Sequence, residues 1–134
     1  MGIFNFSKKN KIELSDEQKK WNKMWQLWTE GKVDSPFAEL MTYQSEINNG
    51  GHSQYFFNIG NTGDLEKEML ALSSILSEHL KSNFQNAYEA YLALEENVAD
   101  KKAEQTLEKC DAIFYENEEE INQKLEEYSL RMEP

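Results

Sequence analysis

What this chain has little of narrows the field first. It holds one cysteine, Cys110, in 134 residues. A lone cysteine closes no internal disulfide, so the fold must come from core packing, as in a reducing compartment. Cys110 itself reads as a buried helix residue, because no His, Lys or Arg cluster surrounds it to activate a thiolate. Two prolines, one of them terminal, and six glycines leave few breaks, which suits helices joined by short loops. The only histidines are His52 and His79. Glu78-His79 lacks the second histidine of an H-E-x-x-H zinc helix, and no phosphate loop, dinucleotide fingerprint or nucleophile elbow occurs. Carboxylates are so plentiful that two side by side carry no information, and a general acid needs a desolvated one. The expectation is therefore no enzyme: no catalytic residue, no metal site and no cofactor.

No apolar run approaches the length of a membrane span. The opening Met1-Gly2-Ile3-Phe4-Asn5-Phe6 lacks the basic flank and long apolar core of a signal peptide, and Phe6 stands where a myristoylation site wants Ser or Thr. A cytoplasmic protein without membrane contact is expected.

Positive charge is also scarce. Fourteen basic residues face 25 acidic ones, a net charge of −11. Such a chain repels nucleic acid directly and attracts basic surfaces. The imbalance is not uniform: residues 1–35 hold seven Lys and five acids, whereas from Glu89 onward 14 acids face five bases.

What is present is helical patterning. Residues 1–14 read as a loose solvated tail with a basic run at Lys8, Lys9 and Lys11; the alternative is a short segment whose Phe4 and Phe6 dock on the body. Residues 15–132 read as one helical domain. Ser15-Asp16-Glu17-Gln18 is a capping box, followed by Trp21, Met24, Trp25 and Trp28 at i, i+3, i+4 and i+7. Gly31 stops that helix. Ser35-Pro36 reads as cap and first helical residue of a second, carrying Phe37, Leu40, Met41, Gln44 and Ile47. Asn48-Asn49-Gly50-Gly51 must break it, since these residues tolerate left-handed backbone. A short helix from His52 to Asn58 follows, with Tyr55 and Phe56 as core anchors, and Gly60-Asn61-Thr62-Gly63 breaks the chain again. Asp64 caps a long helix reaching Leu80, Asn83 opens the next, and Asp100 caps another through Phe114. Asn117 with Glu120 marks the last, which holds Ile121, Leu125 and Tyr128. The fold class is all-α, a compact single-domain bundle of about six to seven helices with short loops.

The stretch Tyr43-Gln44-Ser45-Glu46-Ile47-Asn48-Asn49-Gly50-Gly51-His52-Ser53-Gln54-Tyr55-Phe56-Phe57-Asn58 resembles a bacterial family of helical domains of unknown function whose named representative is a DNA-mimic protein. Glu46, Ile47, Asn49, Gly50, Gly51, Gln54, Tyr55, Phe56 and Asn58 match the hallmark, and His52 departs from it where an aromatic, Phe, is expected. Looser similarity extends from Phe37 to Tyr128. The residues also have a plain structural reading: glycines for a tight turn, Gln54 and Asn58 for free backbone groups at helix ends. The functional alternative is a polar pocket around Asn48, Asn49 and Gln54, with Gly50, Gly51 and Asn58, that holds a partner's backbone.

The resemblance implies mimicry, in which carboxylates stand where a DNA-binding protein expects phosphates. Glu104 and Glu108, four apart on one helix, lie roughly 6 Å from each other. Glu116, Glu118, Glu119 and Glu120 cluster at a helix junction. The expected function is an acidic protein-binding module that occupies the DNA-binding surface of a basic partner protein, without binding nucleic acid itself. Self-association as a homodimer is compatible with it. The alternative is an immunity-type or regulatory inhibitor of a toxin or enzyme, for which the acidity supplies only solubility.

Overall fold

The computed structural model describes residues 13–133, so the Phe4, Phe6 and Lys8–Lys11 part of the expected tail lies outside the described residues. Six helices follow one another: α1 (Asp16–Thr29), α2 (Phe37–Thr62), α3 (Leu65–Ile75), α4 (Glu78–Glu96), α5 (Lys101–Glu116) and α6 (Glu118–Ser129). No strand occurs among the described residues. No helix among them is long and apolar enough to cross a membrane.

Local chemistry explains most of the boundaries. Ser15 accepts from the Gln18 backbone N–H at 3.1 Å and so starts α1. The helix ends in a Schellman turn: Gly31 takes φ +71°, and the Lys32 N–H reaches back to the Leu27 carbonyl at 2.9 Å. Asp64, Ser77 and Asp100 cap α3, α4 and α5, each accepting a backbone N–H three residues on.

Four boundary expectations are corrected. The helix opened by Asp64 does not run to Leu80. It stops at Ile75, and Ser77 rather than Asn83 begins the next. Asn83 lies inside α4, buried, donating to the Cys110 carbonyl at 2.9 Å. Ser35 does not cap α2: the Ser35-Pro36 bond is cis, Pro36 takes the cap position, and the Ser35 hydroxyl donates to Glu39 instead. Asn117 marks the last boundary but makes no side-chain cap, because its amide donates backwards to the Ile113 carbonyl. Finally, α2 continues through Gly60 and Asn61 to Thr62.

Helix α2 is the centre of the packing, touching α3, α4, α5 and α6. The most extensive pairing joins α4 to α5, and α1 covers the bundle chiefly against α6. The core is aromatic. Tyr43 is fully buried and meets the rings of Tyr55, Phe84 and Phe114 edge-on, each at 5.3 Å. Each such pair contributes about 1 kcal/mol beyond the area it buries. On α1, Met24 is buried while Trp21, Trp25 and Trp28 pack half-buried against the core, with the Trp28 indole N–H donating to the Thr42 hydroxyl at 3.1 Å. Cys110 is buried, as its sequence setting suggests, and burial pushes its thiol up in pKa.

Candidate functional site

The resembling stretch sits at a bend in α2. Two residues there leave helical geometry: Gly50 (φ −164°, ψ 15°) and Gly51 (φ 79°, ψ −176°). The Gly51 values belong to a region that side chains other than glycine's rarely occupy. Space reinforces the choice, since a Cβ at Gly51 would stand 2.5 Å from Asp111 Oδ2, and one at Gly50 would overlap the Gln54 amide. The bend breaks the backbone ladder, and side chains from other helices repair it. The Tyr115 hydroxyl donates to the Ile47 carbonyl at 2.8 Å, and Asp111 Oδ1 accepts the His52 backbone N–H at 2.9 Å. Asp111 thus caps the second half of α2 from across the bundle.

The other polar residues of the stretch tie the two halves together. Glu46 precedes the bend, and its two oxygens accept Gln54 Nε2 at 3.2 Å and Asn58 Nδ2 at 2.8 Å from beyond it. Asn48 turns away from Gln54: its Nδ2 donates to Glu118 Oε2 on α6 at 2.8 Å, beside Gln44 Nε2 at 3.0 Å. The structure therefore does not gather Asn48, Asn49 and Gln54 into one pocket. Asn48 and Asn49 line a shallow cleft with Trp25, Gln44 and Ser45, while Gln54 and Asn58 face Glu46.

His52, the position that departs from the family hallmark, has a role that residue spacing did not reveal. It is fully buried. Its Nε2 lies 2.6 Å from the Tyr43 hydroxyl and its Nδ1 lies 2.7 Å from Asp111 Oδ1. An ionised carboxylate only accepts, so Nδ1 carries the proton and Nε2 accepts from Tyr43. Burial raises the Tyr43 hydroxyl well above the ordinary tyrosine range. A Tyr–His–Asp chain suggests proton transfer, but Tyr43 and His52 are both sealed from solvent. The chain closes the hydrogen-bond needs of the bend and positions α5 against it. The only sequence signal for it was the polar ring at an aromatic position; its partner Asp111 is 59 residues away.

A part-buried acidic contact joins α2 to α3. Tyr55 donates to Glu68 Oε1 at 2.9 Å, close to the buried Glu39. Burial, opposed by the Tyr55 hydrogen bond and reinforced by the Glu39 charge, raises the Glu68 pKa.

The acidic residues named from sequence fall into two groups. Glu104, Glu108, Glu116 and Glu119 are exposed on α5 and α6, with Glu120 half-buried beside them. Glu118 is half-buried and held by the Gln44 and Asn48 amides. The ion pairs that Lys or Arg makes among the described residues are Lys32–Glu30 and Lys81–Glu78. None involves Glu104, Glu108, Glu116, Glu119 or Glu120, although Lys101, Lys102 and Lys109 lie on the same helix as three of them. Charges left without counter-ions on adjacent helices sum into an extended negative field.

No curated protein and no solved structure matches the chain significantly. The family described as DMP19-like protein does match, over residues 36–132. That range takes in the whole of α2 with its bend, the Asp111 and Tyr115 props on α5, and the acidic helices. It leaves α1 outside. By that match, covering most of its length, the chain belongs to the DMP19-like protein family.

Proposed function

We propose that this protein is a binding module, not an enzyme, and that it occupies the DNA-binding surface of a basic partner protein through the carboxylates of α5 and α6. The observation that carries the reading is the set of exposed acids on α5 and α6 that have no Lys or Arg partner among the described residues. A surface built only for solubility gains from mixing both signs. Here cations stand nearby in sequence and do not pair. Membership of the DMP19-like protein family, whose named representative is a DNA mimic, supports the same reading. Glu104 and Glu108 stand one turn apart, about 6 Å between side-chain bases, so a helix face presents charges in a regular row as a nucleic-acid strand does. A partner that neutralises phosphates with Lys and Arg would meet the row with the same groups.

The test is capture of partners from bacterial extract on the immobilised full chain at low salt, followed by a salt gradient. A DNA-binding protein that elutes steeply with salt, and that duplex DNA displaces, is the expected result. A captured toxin or enzyme that is indifferent to DNA would overturn mimicry in favour of an inhibitor acting through shape.

A further inference from the structure

We propose that the groove between the start of α1 and the end of α6 is the docking site of this chain's own basic segment, residues 4–11. Its competition with a basic partner rests on the mimicry reading; the docking itself is argued from separate observations.

The groove is a cavity of about 480 Å³. Glu17 and Gln18 line it from the first turn of α1, and Gln123, Glu126, Glu127 and Leu130 from the far end of α6. Its three carboxylates are exposed, and none has a Lys or Arg partner among the described residues. Two of them stand at the unfavourable end of a helix. Carboxylates suit a helix N-terminus and cations a C-terminus, where the last carbonyls gather negative charge. The last turn of α6 holds Glu126 and Glu127 and no basic residue. Lys20 and Arg131 stand nearby but serve other groups: Lys20 Nζ donates to the Leu130 carbonyl at 3.4 Å, and the Arg131 guanidinium packs over the Phe37 and Tyr128 rings. Leu130 adds an apolar side chain, half exposed beside the acids. The groove thus fits a ligand with several positive charges and an apolar side chain.

Phe4-Asn5-Phe6-Ser7-Lys8-Lys9-Asn10-Lys11 has that composition: three lysines, two phenylalanines and no acid. Its place in the chain suits the groove as well. Ser15 caps α1, and Lys11 and Lys8 stand four and seven residues before it, spans of at most about 14 and 25 Å of extended chain. Both lysines therefore reach the start of α1 and the α6 wall beside it. Tethering decides between this segment and the same chemistry brought by another molecule. A short tether presents its ligand at an effective concentration on the order of 1 mM, a level at which a free basic peptide would have to be supplied. An anion is repelled by the three carboxylates, and a wholly apolar segment leaves them unpaired. Glu126 and Glu127 lie on α6 with carboxylates assigned to the partner, so the docked lysines lower the field which that partner meets.

The experiment places a nitroxide on Ser7→Cys in the full chain, where Cys110 is buried and shielded from the label, and reads the loss of amide NMR signals at low salt. The Gln123 and Leu130 signals should be lost. They should return in the triple variant Lys8→Gln, Lys9→Gln and Lys11→Gln, and equally in Glu17→Gln, Glu126→Gln and Glu127→Gln, with circular dichroism on each checking that the helices persist. Signals retained in the labelled chain, or a loss that neither set of substitutions reverses, would overturn the docking. Mixing the nitroxide chain with an isotope-labelled chain that lacks the nitroxide tests the occupant. Loss of signal in the nitroxide-free chain would assign the groove to a second copy's segment and overturn the proposal. Failure to capture a DNA-binding partner removes mimicry and leaves the docking standing; signals retained with intact capture remove only the docking.

Discussion

In the bend of α2 every carboxylate has its donors. Glu46 takes one from Gln54 and one from Asn58, and Asp111 takes the backbone and ring N–H groups of His52. Along α5 and α6, a short distance away in the same bundle, Glu104, Glu108, Glu116 and Glu119 stand exposed with no cation among the described residues. The same side-chain chemistry thus serves two purposes. A satisfied carboxylate fixes geometry and has little left for a partner. An unsatisfied, solvated one adds almost nothing to the fold and keeps its whole field for a partner. The most recognisable residues of the chain therefore belong to its architecture, and the proposed function assigns the partner to the acids that look like mere composition.

That contrast is sharpened by substitutions with graded effects. The largest falls at the bend. Gly51→Ala would combine an unfavourable backbone region with a Cβ 2.5 Å from Asp111 Oδ2, and should cost about 3 kcal/mol or more in urea unfolding. His52→Phe restores the aromatic expected from the family hallmark but strands the buried Tyr43 hydroxyl. A loss of about 2 kcal/mol is expected by the same method, while the wild type should show a His52 ring protonated at Nδ1 in nitrogen-15 spectra. Glu46→Ala removes one carboxylate from two amides and should cost about 1–2 kcal/mol.

A smaller effect lies at Glu68. Its folded pKa is raised above the ordinary value of 4.5, first by burial. The proton is held more tightly in the folded state, so this contribution to stability is fully present below about pH 4.5 and is lost as pH rises through the raised value. Glu68→Gln keeps an acceptor for Tyr55 and removes the titration. The variant should be the more stable protein at pH 7, with the gap closing below pH 4.5, as urea midpoints across that range would show.

Much of the fold was legible because the governing forces are local. The Ser15, Asp64 and Asp100 caps, the Trp21–Trp28 stripe and the glycine break at residues 50–51 each follow from a few adjacent side chains. The α3–α4 boundary was not, since Leu72, Ile75, Leu76 and Leu80 keep helical phase across Ser77 and hide a break of only two residues. Asn83 looked like a cap because caps and buried amides use the same residue type. At the site, the glycines could be read for backbone reasons. The Tyr43–His52–Asp111 chain and the Asn48–Glu118 contact could not, because they join positions 59 and 70 residues apart and nothing local encodes such pairs.

The central claim, that the α5 and α6 carboxylates serve a partner and not the fold, is tested most directly by one multiple variant, Glu104→Gln, Glu108→Gln, Glu116→Gln and Glu119→Gln together. Its salt-gradient elution from the captured partner should be compared with that of the wild type, alongside the urea midpoint of each. The account predicts an unfolding free energy within about 1 kcal/mol of the wild type and release of the partner at clearly lower salt. An unchanged elution salt in a protein that folds normally would contradict it.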